Sequence, residues 1–270
     1  MGSGLQLSTL ICIEMNIAYY QQNIVWEAPI DNRAKVEQAF CSLSEKIDVM
    51  VVPETFTTGF SDNMAAMAEP PEGDTLAFAR RMARQFDALF VGTWTVRMDD
   101  GTVFNRLHWV YPDGSYGFYD KAHTFRMSSE HAQLGRGSRQ ALFEWRGWRF
   151  KPAVCYDLRF PKWLRNGVRG EEMAYDVLLV CANWPASRYE AWTTLLKARA
   201  IENLCYVVGV NRVGDDGVGI PYKGNSAVVD FKGHVVSAAT PESDEVRVAR
   251  LDADLLATFR SHWPFYLDFD

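Results

Sequence analysis

The chain has 270 residues, 28 Lys+Arg against 34 Asp+Glu, a formal net charge of -6 and 48% hydrophobic residues. A half-apolar chain of this length buries a sizeable core, which excludes wholesale disorder. The acidic balance disfavours nucleic acid as a partner. No apolar run approaches the roughly 20 residues of a membrane-spanning helix.

Residues 1–14 open with the linker-like Gly2-Ser3-Gly4, after which Leu5, Leu7, Thr9, Ile11 and Ile13 alternate as a strand would. A second methionine, Met15, leads into the strand-like segment Asn16 to Gln21. Two readings stand side by side: an extension over 1–14 ahead of a single domain over 15–270, or an ordinary first strand at 5–13. Apolar runs at Val49–Val52, Leu89–Val96, Leu107–Tyr111, Ala153–Tyr156, Val177–Ala182, Tyr206–Val210 and Ala227–Val229 predict further strands.

Helical spacing separates some of these runs. Val36, Ala39, Phe40 and Leu43 fall at i, i+3, i+4, i+7 behind the capping candidates Asp31 and Asn32. Leu76, Ala79, Ala83 and Phe86 repeat the pattern, and Trp192, Leu195 and Leu196 open a helix running to about Asn203. Pro112-Asp113-Gly114 predicts a turn, and Trp145 to Trp148 and Phe231 to His234 predict hairpins. No linker divides the chain, so one layered α/β domain is expected.

The five cysteines, Cys12, Cys41, Cys155, Cys181 and Cys205, are odd in number and contain no CxxC pair. This argues against a disulfide framework or zinc ribbon. With no recognisable signal peptide, a reducing, cytoplasmic location is expected. Cys155 follows an apolar run and precedes the charged Asp157 and Arg159, where α/β proteins place their sites; a buried core thiol is the plain alternative. The other four lie inside apolar runs and read as core. Glu54, just beyond Val49–Pro53, reads as a partly desolvated general base or as a strand-end cap. Lys121, among aromatic residues, reads as a buried cation that favours a thiolate, or as an ammonium pairing with Asp120. A Cys–His pair using His123 or His131 also fits the spacing. Gly135-Arg136-Gly137 and Gly217-Val218-Gly219 lack the strand–GxGxxG–helix context of a phosphate cradle, and no metal motif is present. No cofactor is expected.

Three segments together resemble the nitrilase, or carbon–nitrogen hydrolase, superfamily: Pro53-Glu54-Thr55-Phe56, Tyr119 to Phe125 around Lys121, and Val154-Cys155-Tyr156-Asp157-Leu158-Arg159-Phe160-Pro161. Asn183-Trp184-Pro185, Ala198 to Asn203, Val208 to Gly214 and Gly219 to Ser226 are similar to its omega-amidase branch. The resemblance implies a four-layer αββα sandwich and a homodimer, with the segment after the cysteine and the Arg199–Asn203 helix near the contact. It implies that Cys155 is the nucleophile, Glu54 the general base and Lys121 the oxyanion cation. Glu130 matches a second acid beside the lysine, and His123 a position that is not the base. A low-pKa Cys155 would then be the first of the five thiols to react with iodoacetamide.

The implied reaction is hydrolysis of the terminal amide of 2-oxoglutaramate or 2-oxosuccinamate, in nitrogen recycling or methionine salvage. The Tyr156 N–H is the expected second oxyanion donor. Arg159, Arg188 and Arg126 are candidate cations for the substrate carboxylate; Asn183, Trp184, Phe56 and Phe60 are candidate pocket residues. Two departures, Ala122 for a basic residue and Asn225 for an acid, are expected to alter the pocket rim. Within the superfamily, a nitrilase, a carbamoylase or another amidase is the alternative; outside catalysis, an inactive binding or regulatory homologue.

Overall fold

The computed structural model describes residues 14–169 and 172–268. The strand at 5–13 falls outside these residues, as does the extension up to Glu14, which opens the first strand. In chain order the strands are β1 Glu14–Gln21, β2 Val49–Val51, β3 Leu89–Arg97, β4 Val103–Val110, β5 Tyr116–Asp120, β6 Phe143–Trp145, β7 Trp148–Val154, β8 Val168–Arg169, β9 Glu172–Met173, β10 Val177–Ala182, β11 Tyr206–Asn211, β12 Val213–Asp215, β13 Pro221–Lys223, β14 Ala227–Val229, β15 Val235–Ala238 and β16 Glu245–Asp252. The helices are α1 Pro29–Cys41, α2 Asp74–Phe86, α3 Glu130–Gln133, α4 Pro161–Leu164, α5 Tyr189–Asn203 and α6 Ala253–His262.

Two six-stranded sheets result, in the orders β16-β1-β2-β3-β4-β5 and β15-β14-β11-β10-β7-β6. Each has a parallel centre, β1-β2-β3 in one and β7-β10-β11 in the other, with antiparallel flanks. Because successive side chains on a strand face opposite ways, each central strand feeds two cores. Val51, Val91, Leu179 and Val208 meet between the sheets. Met50, Val52 and Phe90 pack under Phe40 of α1 and Leu76 and Met82 of α2. Leu178, Val180 and Val207 pack under Trp192, Leu196 and Ala200 of α5. The layers are therefore helix, sheet, sheet, helix. These strands are apolar on both faces, as strands covered on both sides must be.

The expected strands, both hairpins and the turn at Pro112–Gly114 are present. Two local expectations are corrected. Asp31 and Asn32 do not cap α1, because Pro29, with its fixed φ, starts the helix earlier. Asn32 is instead a buried tie, its amide donating to Val25 O and Thr57 O. The seventh strand stops at Val154, because Cys155 turns into the left-handed region at φ +44° and begins a 3-10 turn.

Candidate active site

The parallel strands deliver their chemistry at their C-terminal ends, where open α/β sheets place ligands. Glu54 follows β2, Cys155 follows β7 and Asn183 follows β10; Lys121 follows the antiparallel β5. The site thus lies on the seam between the two sheets. Two backbone positions there are strained. Cys155 (φ +44°) and Thr55 (φ +42°) both occupy the left-handed region, which is an outlier for a β-branched residue. Thr55 is held there by its N–H donating to Thr93 Oγ1 at 2.7 Å and its Oγ1 accepting from Asn183 Nδ2 at 2.8 Å.

Glu54, Lys121 and Glu130 are fully buried and in contact. Lys121 Nζ donates to Glu54 Oε1 at 2.8 Å and to both Glu130 oxygens at 2.9 Å. Glu54 Oε2 accepts the Asn183 N–H at 2.8 Å. Glu130 opens α3 and also accepts the Phe125 N–H at 2.5 Å. Lys121 does not pair with Asp120, which is taken by Arg106. Burial opposes the Lys121 charge, but Glu130 and Glu54 override it and hold the ammonium above the usual lysine range. Burial pushes the Glu54 carboxyl up, against the pull of Lys121. Such a carboxylate is a stronger base than one in water.

Cys155 sits half-buried beside this cluster, its Sγ 3.8 Å from Asn183 O. Burial first, then the negative charge of Glu54, pushes its thiol well above the ordinary value, with Lys121 opposing. This direction is opposite to the low-pKa thiol expected from the sequence. Cys41, read as core, is instead exposed at the end of α1. Cys181 and Cys205 are buried as expected.

The site opens into a cavity of about 750 Å³. Phe60, Lys121, Cys155, Tyr156, Arg159, Asn183, Trp184 and Arg188 line it, with the exposed Met127, Val218 and Ile220 at its rim. Arg159 lies over the Trp184 ring at 4.8 Å and Arg188 over Phe125 at 5.3 Å. Neither has an ion-paired carboxylate among the described residues, whereas the lining acids are engaged: Glu27 by Asn63, Asp62 by Ser129, Asp216 by two backbone N–H groups.

Several expectations fail here. Phe56 is not a pocket wall; beyond the Thr55 turn it is fully buried among Phe78, Phe90 and Trp94. Arg126, Ala122 and Asn225 are not among the lining residues, so the two departures do not form the rim. The Gly135 and Gly137 N–H groups donate to Val103 O and Lys121 O. His123 is turned toward Asp157, 2.7 Å from its Oδ1. Among the described residues no cluster of metal-ligating side chains occurs, and no helix is long and apolar enough to cross a membrane.

One member was missed. Asn105, in the middle of β4, donates from Nδ2 to Glu54 Oε1 at 2.8 Å and to Glu130 Oε1 at 3.0 Å. Its signal was an asparagine inside a strand, where that residue is depleted.

A buried acid, lysine, second acid and cysteine on one seam can add a thiol to a carbonyl carbon and stabilise the resulting oxyanion. The carbon–nitrogen hydrolase family pattern matches residues 16–261. The chain belongs to the carbon–nitrogen hydrolase, or nitrilase, superfamily of amide-hydrolysing enzymes. It is 42% identical over 256 residues to the omega-amidase YafV of Yersinia enterocolitica, covering 95% of this chain and 97% of that protein. It is 30% identical over 262 residues to the 2-oxoglutaramate amidase of Bacillus subtilis, covering 96% of each. The structure of XC1258 from Xanthomonas campestris, a CN-hydrolase superfamily protein with an arsenic adduct in the active site, superposes with a TM-score of 0.93 at 41% identity, over 96% of this chain and 98% of that one. Within the superfamily the chain falls in the omega-amidase branch.

Proposed function

We propose that this omega-amidase hydrolyses the terminal carboxamide of 2-oxoglutaramate or 2-oxosuccinamate through a Cys155 thioester. The observation that carries this reading is the buried Glu54–Lys121–Glu130 cluster against Cys155. The Cys155 sulfur attacks the amide carbon while Glu54 takes the thiol proton. An ammonium has three N–H groups. With one on Glu54 and one shared by the Glu130 oxygens, the third Lys121 N–H meets the oxyanion. The Tyr156 N–H, at the start of a 3-10 turn, is the second donor. Glu54 returns the proton to nitrogen, the C–N bond breaks and ammonia leaves. Water then attacks the thioester, giving its proton to Glu54, and the thiol reforms as the keto acid departs. No step calls for a cofactor.

The substrate carries a carboxylate, and Arg159 and Arg188 are the lining cations left without an acid partner among the described residues, so they are its proposed holders. Phe60 and Trp184 form walls; Asn183 positions Glu54. We place the enzyme in the cytoplasm as a homodimer. An apolar face supports the second copy: Ile201, Leu255, Trp263, Phe265 and Leu267 are all more than half exposed. Arg260 ties α6 to the end of α5 through Leu204 O. Arg199 and Asn203 themselves are buried within the chain. The domain is proposed to span 15–270, with 1–14 an extension.

The test is ammonia release from 2-oxoglutaramate by the protein and its Cys155→Ala variant, beside nitriles and N-carbamoyl amino acids. Turnover of the keto acid amide by the first alone supports the reading. Turnover only of the other compounds overturns it. Sedimentation at several concentrations tests the dimer.

A further inference from the structure

We propose that Asn105 is a positioning residue for the reaction, holding Glu54 and Glu130 side by side and aiming Glu54 at the thiol. The inference rests on Glu54 being the proton acceptor. Two carboxylates in one buried site repel, and each disfavours ionisation of the other. Lys121 supplies one positive charge between them. Asn105 supplies the other bridge: its side-chain amide donates to one oxygen of each acid. Its main chain fixes the cation too, since the Lys121 N–H donates to Asn105 O at 3.0 Å. One residue of β4 therefore touches all three members of the cluster.

The residue is 1% exposed, and its Oδ1 has no hydrogen-bond partner among the described residues. A buried carbonyl left without a donor is a cost that a purely structural residue would shed. Here it accompanies an orientation in which both amide hydrogens are spent on the acids. The other groups facing Glu54 are Lys121 beyond β5, Glu130 on α3, Cys155 beyond β7, Cys181 on β10 and the Asn183 N–H. Asn105 and Asn183 are thus the neutral donors to the Glu54 carboxyl oxygens.

The experiment compares Asn105→Ala, Asn105→Asp and the wild-type protein across pH by two readouts. One is kcat and KM for ammonia release; the other is the alkylation rate of Cys155 with iodoacetamide, followed by mass spectrometry on the Cys155 peptide. In Asn105→Ala the acidic limb moves to higher pH in both. There kcat falls by about tenfold to a hundredfold, as expected for a lost hydrogen bond to a charged group, while KM stays within about threefold. Asn105→Asp keeps the shape but adds an acid whose like-charged neighbours favour its protonated form. It therefore retains activity at low pH and loses it as pH rises, opposite in slope to the alanine variant. Profiles that superpose on wild type after scaling overturn the proposal. Should Asn105→Ala fail to fold, the Asn105→Asp slope decides alone. If wild-type protein turns over no keto acid amide, the substrate reading fails, yet the alkylation profiles still test Asn105.

Discussion

Asp157 grips His123 twice: its Oδ1 accepts the His123 backbone N–H at 3.0 Å and lies 2.7 Å from the imidazole Nδ1. Its Oδ2 accepts from Tyr119 Oη at 2.8 Å and from the Val154 N–H at 3.0 Å. One buried carboxylate thus joins both ends of the Lys121 segment to the strand end ahead of Cys155. His123, stacked on Phe160 at 3.8 Å, serves this joint and does not line the cavity. His123→Asn is expected to keep activity within about tenfold, whereas a cysteine–histidine base would cost ~10²–10⁴. Asp157→Ala strands several buried donors, each costing roughly 1–3 kcal/mol. Its melting temperature and its kcat are both expected to fall. A wild-type kcat in Asp157→Ala would remove the joint from the mechanism.

Cys155→Ala is expected to abolish turnover and leave the fold intact, since the side chain is small and only half-buried. Cys155→Ser is expected to be nearly as inactive, because a hydroxyl is the poorer nucleophile with this base. Thermal melting and ammonia release check both, and residual full activity in either would remove the nucleophile.

Lys121→Met is expected to fail twice. Turnover loses an oxyanion donor, about 10²–10³ in rate. Stability drops as well, because Glu54 and Glu130 become uncompensated buried charges, a loss on the order of 3–5 kcal/mol unless they take up protons. Denaturation at two pH values separates the effects: the stability deficit should narrow as pH falls.

His108 lies fully buried, stacked on Trp94 at 3.8 Å, with no partner for Nδ1 among the described residues. Burial, reinforced by Arg106, holds it well below the usual histidine range. It is therefore neutral in the fold, while the unfolded chain protonates this side chain near pH about 6.5. Below that the unfolded state binds more protons, so the His108 contribution is full above about 6.5 and declines as pH falls. His108→Phe keeps the ring stack and should flatten this part of the decline, measured as urea midpoints at about pH 8 and about pH 5.

Gly137 shows how closely the Lys121 segment is packed. A methyl group there would overlap the Asp120 carbonyl, which is backbone and cannot rotate away. Gly137→Ala is expected to displace Lys121, lowering kcat more than KM; unchanged kinetics would show that the segment can yield.

Glu54 and Cys155 were legible because each stands just past an apolar run, Lys121 as a cation among aromatic residues, and Glu130 through its resemblance. The central strands and α2 and α5 were legible from their periodicity. Asn105 was not, since Val103-Phe104-Asn105-Arg106 carries no alternation that tells which neighbour faces the site until β4 pairs with β3 and β5. Phe56 misled for a related reason: a left-handed turn at Thr55, invisible in the residue type, sends it into the core. The edge strand β16 is charge-rich, so its pairing with β1 along Glu14–Gln21 was not apparent.

The division of the site between the sheets governs when chemistry becomes possible. Glu54, Asn105, Lys121 and Glu130 precede the first strand of the second sheet, and Cys155 comes after it begins. The first sheet is itself finished only when β16, close to the end of the chain, pairs with β1. Bringing Cys155 against Glu54 therefore waits on strands from both ends of the chain, and a chain cut before β16 is expected to lack the assembled site.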